Sequence, residues 1–139
     1  MAAQGAARPR RIVTERSLRR LRTVGLATVF VWFFVGGIAH FAITDVEMRI
    51  VPPYIPWPRA AVLASGVGEL IGAAGLLWRP GRRAAGWLLV AVTVAVTPVH
   101  LWMLDTADRW PVPLWALVLR LPVQVALWLG ANDDSEWAR

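Results

Sequence analysis

The chain contains no cysteine and no lysine. The first absence excludes disulfides, thiolate metal sites, Cys-ligated iron–sulfur clusters and any dithiol relay carried by this chain. The second makes every one of the 15 cations an arginine. Charge is scarce altogether: 17% of the 139 residues are charged against 57% hydrophobic, and mean hydropathy is +0.50. Intrinsic disorder is excluded at that composition. So is an ordinary soluble domain, whose apolar share is about 45–50% even when Gly is counted. Catalytic triads, metal-spaced clusters and phosphate-cradling loops are missing as well, so the chain carries no self-contained catalytic motif.

What is present is four long apolar runs, at residues 23–44, 60–78, 84–104 and 111–131. Each is close to the roughly 20 residues a helix needs to cross about 30 Å of hydrocarbon. None has a polar stripe at a period of 3.6, the mark of a soluble amphipathic helix. The reading is an all-α membrane protein, a bundle of four transmembrane helices. Residues 1–22 form a basic N-terminal segment and residues 132–139 a short tail. The first run exceeds the 7–15 apolar residues of a signal peptide and lacks a following A-x-A site, so it is expected to stay in the mature protein.

The arginines set the expected orientation. Seven precede residue 23, Arg79, Arg82 and Arg83 form the turn between the second and third runs, and Arg139 ends the chain. The opposite side holds Arg49, Arg59 and Arg109, with Asp45, Glu47, Asp105 and Asp108. The positive-inside rule then places both termini in the cytoplasm of a cell (inner or plasma) membrane. Although the pI is 11.6, nucleic acid is not an expected partner, because topology accounts for the cations. Arg79-Pro80-Gly81 reads as a tight turn joining an antiparallel hairpin. Between the first and second runs, Pro52, Pro53, Pro56 and Pro58 interrupt helix, with Tyr54 and Trp57 among them. This proline-rich segment is expected to lie at the outer interface and cap the bundle.

Five strongly polar side chains fall inside the runs: His40, Glu69, His100, Arg120 and Gln124. A charged residue at mid-helix costs about 2.5–3.5 kcal/mol on insertion scales, so such groups turn inward and find partners. Counting 1.5 Å per residue puts Glu69 and Arg120 each about 13 Å below the outer ends of their runs. His40 and His100 each lie about 6 Å below theirs. Two polar layers follow, an outer His–His level in a cavity roofed by 51–58, and a lower level where Glu69 pairs with Arg120. Gly36, Gly37, Gly66, Gly68 and Gly72 mark packed seams, since small residues let helices approach. Pro98 and Pro122 free the carbonyls of Val94 and Val118 from helix hydrogen bonds.

GGIAHF (36–41), VPPYIPWP (51–58), SGVGELIGAAGLL (65–77), the Arg82-Arg83 turn, PVH (98–100) and RLPVQ (120–124) together resemble the DoxX family of small membrane proteins. The resemblance runs from about Gly36 to Trp128 and rests on the order and spacing of these motifs. It implies a four-helix membrane bundle, and members linked to thiosulfate:quinone oxidoreductase subunits or to scaffolds for oxidative-stress enzymes. On this basis the chain is expected to be a redox-associated membrane subunit or anchor, with a soluble redox enzyme as partner and a quinone between its helices. Candidate ligand-binding residues are His40, Glu69, His100, Arg120, Gln124 and Trp32. No intrinsic cofactor is expected, so reducing equivalents would be handled through a borrowed one. The alternatives are a non-catalytic scaffold recruiting soluble partners and a small carrier or proton path using Glu69.

Overall fold

The computed structural model describes residues 9–106 and 109. The fourth apolar run, with Arg120 and Gln124, lies outside the described residues. Within them the chain is helical: α1 spans Pro9–Ala42, α2 Thr44–Glu47, α3 Pro58–Leu77 and α4 Arg82–Asp105. Single 3₁₀ turns stand at Met48–Ile50 and Arg79–Gly81. Three segments, Arg19–Ala42, Pro58–Leu77 and Arg79–Asp105, are long and apolar enough to cross a membrane.

Helix boundaries follow local chemistry. α1 starts well inside the basic segment, because its arginines are good helix formers and no breaker follows Pro9. At 34 residues it is about 51 Å long, well beyond one hydrocarbon thickness. Its far end stops at Ala42, where Thr44 Oγ1 donates to the His40 carbonyl at 2.6 Å. The chain bends at Ile43 and makes one more turn as α2, whose Glu47 N–H bonds the Ile43 carbonyl. α3 opens with Pro58 in its first turn, where a missing N–H costs nothing. It closes with Arg82 Nε donating to the Leu76 carbonyl at 2.8 Å, which satisfies an orphan acceptor of the last turn. Gly81 is needed in this turn because the Trp78 ring covers it, and a Cβ there would run into that ring.

α3 is the middle element and runs antiparallel to both neighbours. On one side Gly36 meets Glu69 and Gly66 meets His40; on the other, Gly75 meets Ala85, Gly72 meets Leu89 and Gly68 meets Val92. The packed seams expected at these glycines are two, one between α3 and α1 and one between α3 and α4. Phe33, Ala73, Leu76, Ala85 and Leu89 make the buried core, with Val29 and Phe30 packed on it. The outer faces are as apolar as the core: Val35 is 59% exposed, Ile71 59% and Val94 64%. Large side chains left bare on every helix fit a hydrocarbon surrounding rather than water.

The loop end of the bundle carries residues 43–57; the turn end carries 78–81. In the loop, Pro52 is fully buried while Tyr54 and Trp57 stand exposed. Ile55 N–H bonds the Pro52 carbonyl at 3.0 Å, so the prolines build a compact turn rather than an extended strap.

Candidate functional site

Two features at the loop end bring polar chemistry into the apolar bundle. The first centres on His40, in the last turn of α1. Its Nδ1 bonds Glu47 Oε2 on α2, and its Nε2 lies 3.5 Å from Glu69 Oε1 on α3. All three side chains are mostly buried, at 21% exposure for His40, 17% for Glu47 and 13% for Glu69. Glycine makes the meeting possible. A Cβ on Gly36 would stand 2.8 Å from Glu69 Oε2, and one on Gly66 would stand 2.7 Å from the His40 Cβ. Bare backbone at both positions leaves the carboxylate and the imidazole their space.

This geometry corrects the two-layer reading. Glu69 lies level with Gly36, one turn deeper than His40, yet its side chain rises to the imidazole, so the two layers are joined through this pair. Cβ directions account for it. A glutamate spans about one helical turn, a reach that counting Cα depths ignores. Whether Glu69 also meets Arg120 lies outside the described residues, as does any role of Gln124.

Glu47 was not among the candidates, having been counted as a loop charge. Its position after the break at Ile43 gave no helical spacing from which to expect it, since the bend there sets where α2 points. Asp45 is exposed.

Of the other predicted residues, His100 and Trp32 are described. His100 is half-buried on α4. The register places Gly66 opposite His40 and, on the α4 side, near residue 94, so His100 lies about six residues, roughly 9 Å, nearer the loop end. The shared level expected for the two histidines does not survive this register, because α4 reaches further towards the loop end than a count from run boundaries allows. Trp32, expected as an inward donor, is 43% exposed. Phe33 takes the core-facing position instead, since adjacent residues on a helix point about 100° apart.

The second feature is an open groove of about 660 Å³ lined by Tyr54, Val94, Thr97, Pro98, Leu101, Trp102 and Asp105. From the proline-rich segment, Tyr54 shares this groove with residues of α4; neither His40 nor His100 lines it. Pro98 lies inside α4 and cannot donate to Val94, which leaves that carbonyl without its helical bond at the groove wall. The Thr97 hydroxyl donates to the Thr93 carbonyl at 2.9 Å, one turn lower. Of the predicted ligand residues that are described, none lines the groove. Its signals were Pro98 and Tyr54, both visible in the sequence, but nothing there set the loop against α4.

Among the described residues, fold and site together define a helical protein with three helices fit to span a membrane and a histidine held between two carboxylates near one end of the bundle. The chain belongs to a family described as a domain of unknown function, DUF8561, whose model matches residues 26–133. That match begins at Leu26, three residues inside the first apolar run, and takes in the other three runs whole. No curated protein and no solved structure matches the chain.

Proposed function

We propose that this protein is a DoxX-like membrane subunit of a redox system that binds a quinone in the loop-end groove. In this reading residues 111–131 supply a fourth transmembrane helix, both termini are cytoplasmic, and electrons are exchanged with a soluble partner enzyme. The observation that carries the reading is the groove. Its volume, about 660 Å³, falls in the range of about 300–1,000 Å³ usual for small-molecule sites. Its chemistry suits both redox forms of such a ring. The Tyr54 hydroxyl and the Trp102 indole N–H can donate to quinone carbonyls. The Val94 carbonyl and the Asp105 carboxylate can accept from quinol hydroxyls. Leu101, Pro98 and Val94 supply the apolar walls.

The test is purification of the full chain from its membrane in mild detergent, with quinone extracted and quantified against protein. Near-stoichiometric quinone is expected, falling several-fold in Tyr54→Ala and in Pro98→Ala. A chain that carries no quinone and co-purifies with a soluble enzyme sinks this reading and favours the scaffold. One observation supports that second reading: α1 outruns the membrane by several turns, and Arg16 and Arg20 there are exposed, a surface suited to an acidic partner.

A further inference from the structure

We propose that Glu47, His40 and Glu69 form a proton path from the loop end of the bundle to a carboxylate in its interior. The inference stands on these three residues and does not depend on the groove.

A structural ion pair needs one carboxylate for one imidazole. Here each ring nitrogen has its own, Glu47 at Nδ1 and Glu69 at Nε2. With both carboxylates ionised and the ring neutral, the trio carries two negative charges in an apolar helix pair, which is costly. A proton taken up among the three halves that charge, and it has three places to reside, either carboxylate or the ring. Imidazole can take a proton on one nitrogen while releasing another from the opposite side. Among the described residues, the charged groups facing the ring come from two elements, Glu47 from α2 and Glu69 from α3.

The trio also has a direction. Glu47 belongs to the short helix α2 at the loop end, outside the long segment of α1. Glu69 sits a turn deeper than His40, in the space left by Gly36. In the starting state the ring is neutral, with its proton on Nε2. A proton from water at the loop end binds Glu47 and moves to His40 Nδ1, forming the imidazolium. The imidazolium then releases its Nε2 proton to Glu69 Oε1. One proton has entered, Glu69 has become a carboxylic acid, and His40 is neutral with its proton on Nδ1. No bond between heavy atoms changes. Rotation of the ring, or return of the proton, restores the first tautomer.

The experiment uses dicyclohexylcarbodiimide, an apolar reagent that adds to protonated carboxyl groups. Sealed right-side-out and inverted membrane vesicles containing the full chain are held with different pH on their two sides, and the adduct at Glu69 is measured by mass spectrometry. Labelling of Glu69 is expected to rise as pH falls on the side bearing residues 43–57, and to ignore the pH on the side bearing 78–81. In Glu47→Gln, and in His40→Asn, the response to loop-side pH should slow at least tenfold. Labelling that follows the turn-side pH overturns the proposal, as does unchanged kinetics in Glu47→Gln. The first comparison is made on the unaltered chain, so misfolding of a variant cannot decide it. Quinone content is measured separately, and its absence would leave this result standing.

Discussion

Replacing Gly66 with alanine tests the α1–α3 contact and the site it holds. The added Cβ would lie 2.7 Å from the His40 Cβ, 2.9 Å from Phe41 Cε2 and 3.2 Å from the Gly37 carbonyl oxygen. Carbon atoms in contact prefer about 3.5–4.0 Å, so α1 must retreat by about 1 Å. Two of these three obstacles, a Cβ and a backbone oxygen, cannot swing aside as the tip of a long side chain could. Such overpacking costs about 1–3 kcal/mol. Alanine in a helix regains up to about 1 kcal/mol over glycine, which would blur the result. Gly25→Ala cancels that term, because a Cβ at Gly25 meets nothing within 4 Å. The difference between the two variants is then the clash alone, about 1–3 kcal/mol against Gly66→Ala. The assay is denaturant or thermal unfolding of the purified chain in detergent, followed by tryptophan fluorescence. Equal stability of the two variants would refute the close approach of α1 and α3. The same retreat would take the His40–Glu69 contact, already 3.5 Å, out of ion-pair range, so loss of loop-side labelling of Glu69 should accompany the loss of stability.

A double-mutant cycle on His40→Asn and Glu69→Gln should return a coupling of about 0.5–3 kcal/mol, as residues in one polar network do; a second cycle with Arg120→Gln reads the pair expected from depth alone, and strict additivity there would dissolve it. Single cysteines at Val51 and Pro80, probed on intact cells with an impermeant thiol reagent, should label at 51 and stay silent at 80. The opposite pattern inverts the proposed orientation. Pro80 serves better than Gly81, whose Cβ would meet the Trp78 ring. Pro98→Ala restores an N–H to the Val94 carbonyl, so stability should hold or rise while bound quinone falls. Quinone retained at the original level would remove that carbonyl from the site.

Helix positions were legible in the sequence because a membrane span is a one-dimensional requirement. About 20 apolar residues without charge suffice, and no knowledge of neighbours is needed. Expected spans at 60–78 and 84–104 accordingly lie within two residues of α3 and α4 at each end. The arginine turn between them was visible for the same local reason. Glycines signalled packed faces, since a residue without a side chain has little other use in mid-helix. Which helix each glycine meets was not legible. Gly66 and Gly68 are two residues apart, yet one faces α1 and the other α4, a division set by the rotation of α3 about its axis.

The site shows the same limit. His40 and Glu69 were identified as groups that cannot face lipid, a matter of desolvation that each residue carries with it. Their partnership was decided by tertiary structure, because it depends on the register of α1 against α3, on the missing Cβ of Gly36, and on side-chain reach across one turn. Glu47 entered only when the chain bent at Ile43 and resumed as α2, bringing a loop charge back over the end of α1. The groove arose likewise, from Tyr54 being set beside residues of α4. Hydrophobicity and charge are properties of single residues and can be read along a line. Contacts between residues far apart in the chain are fixed by the rotation and register of whole helices, which packing alone selects.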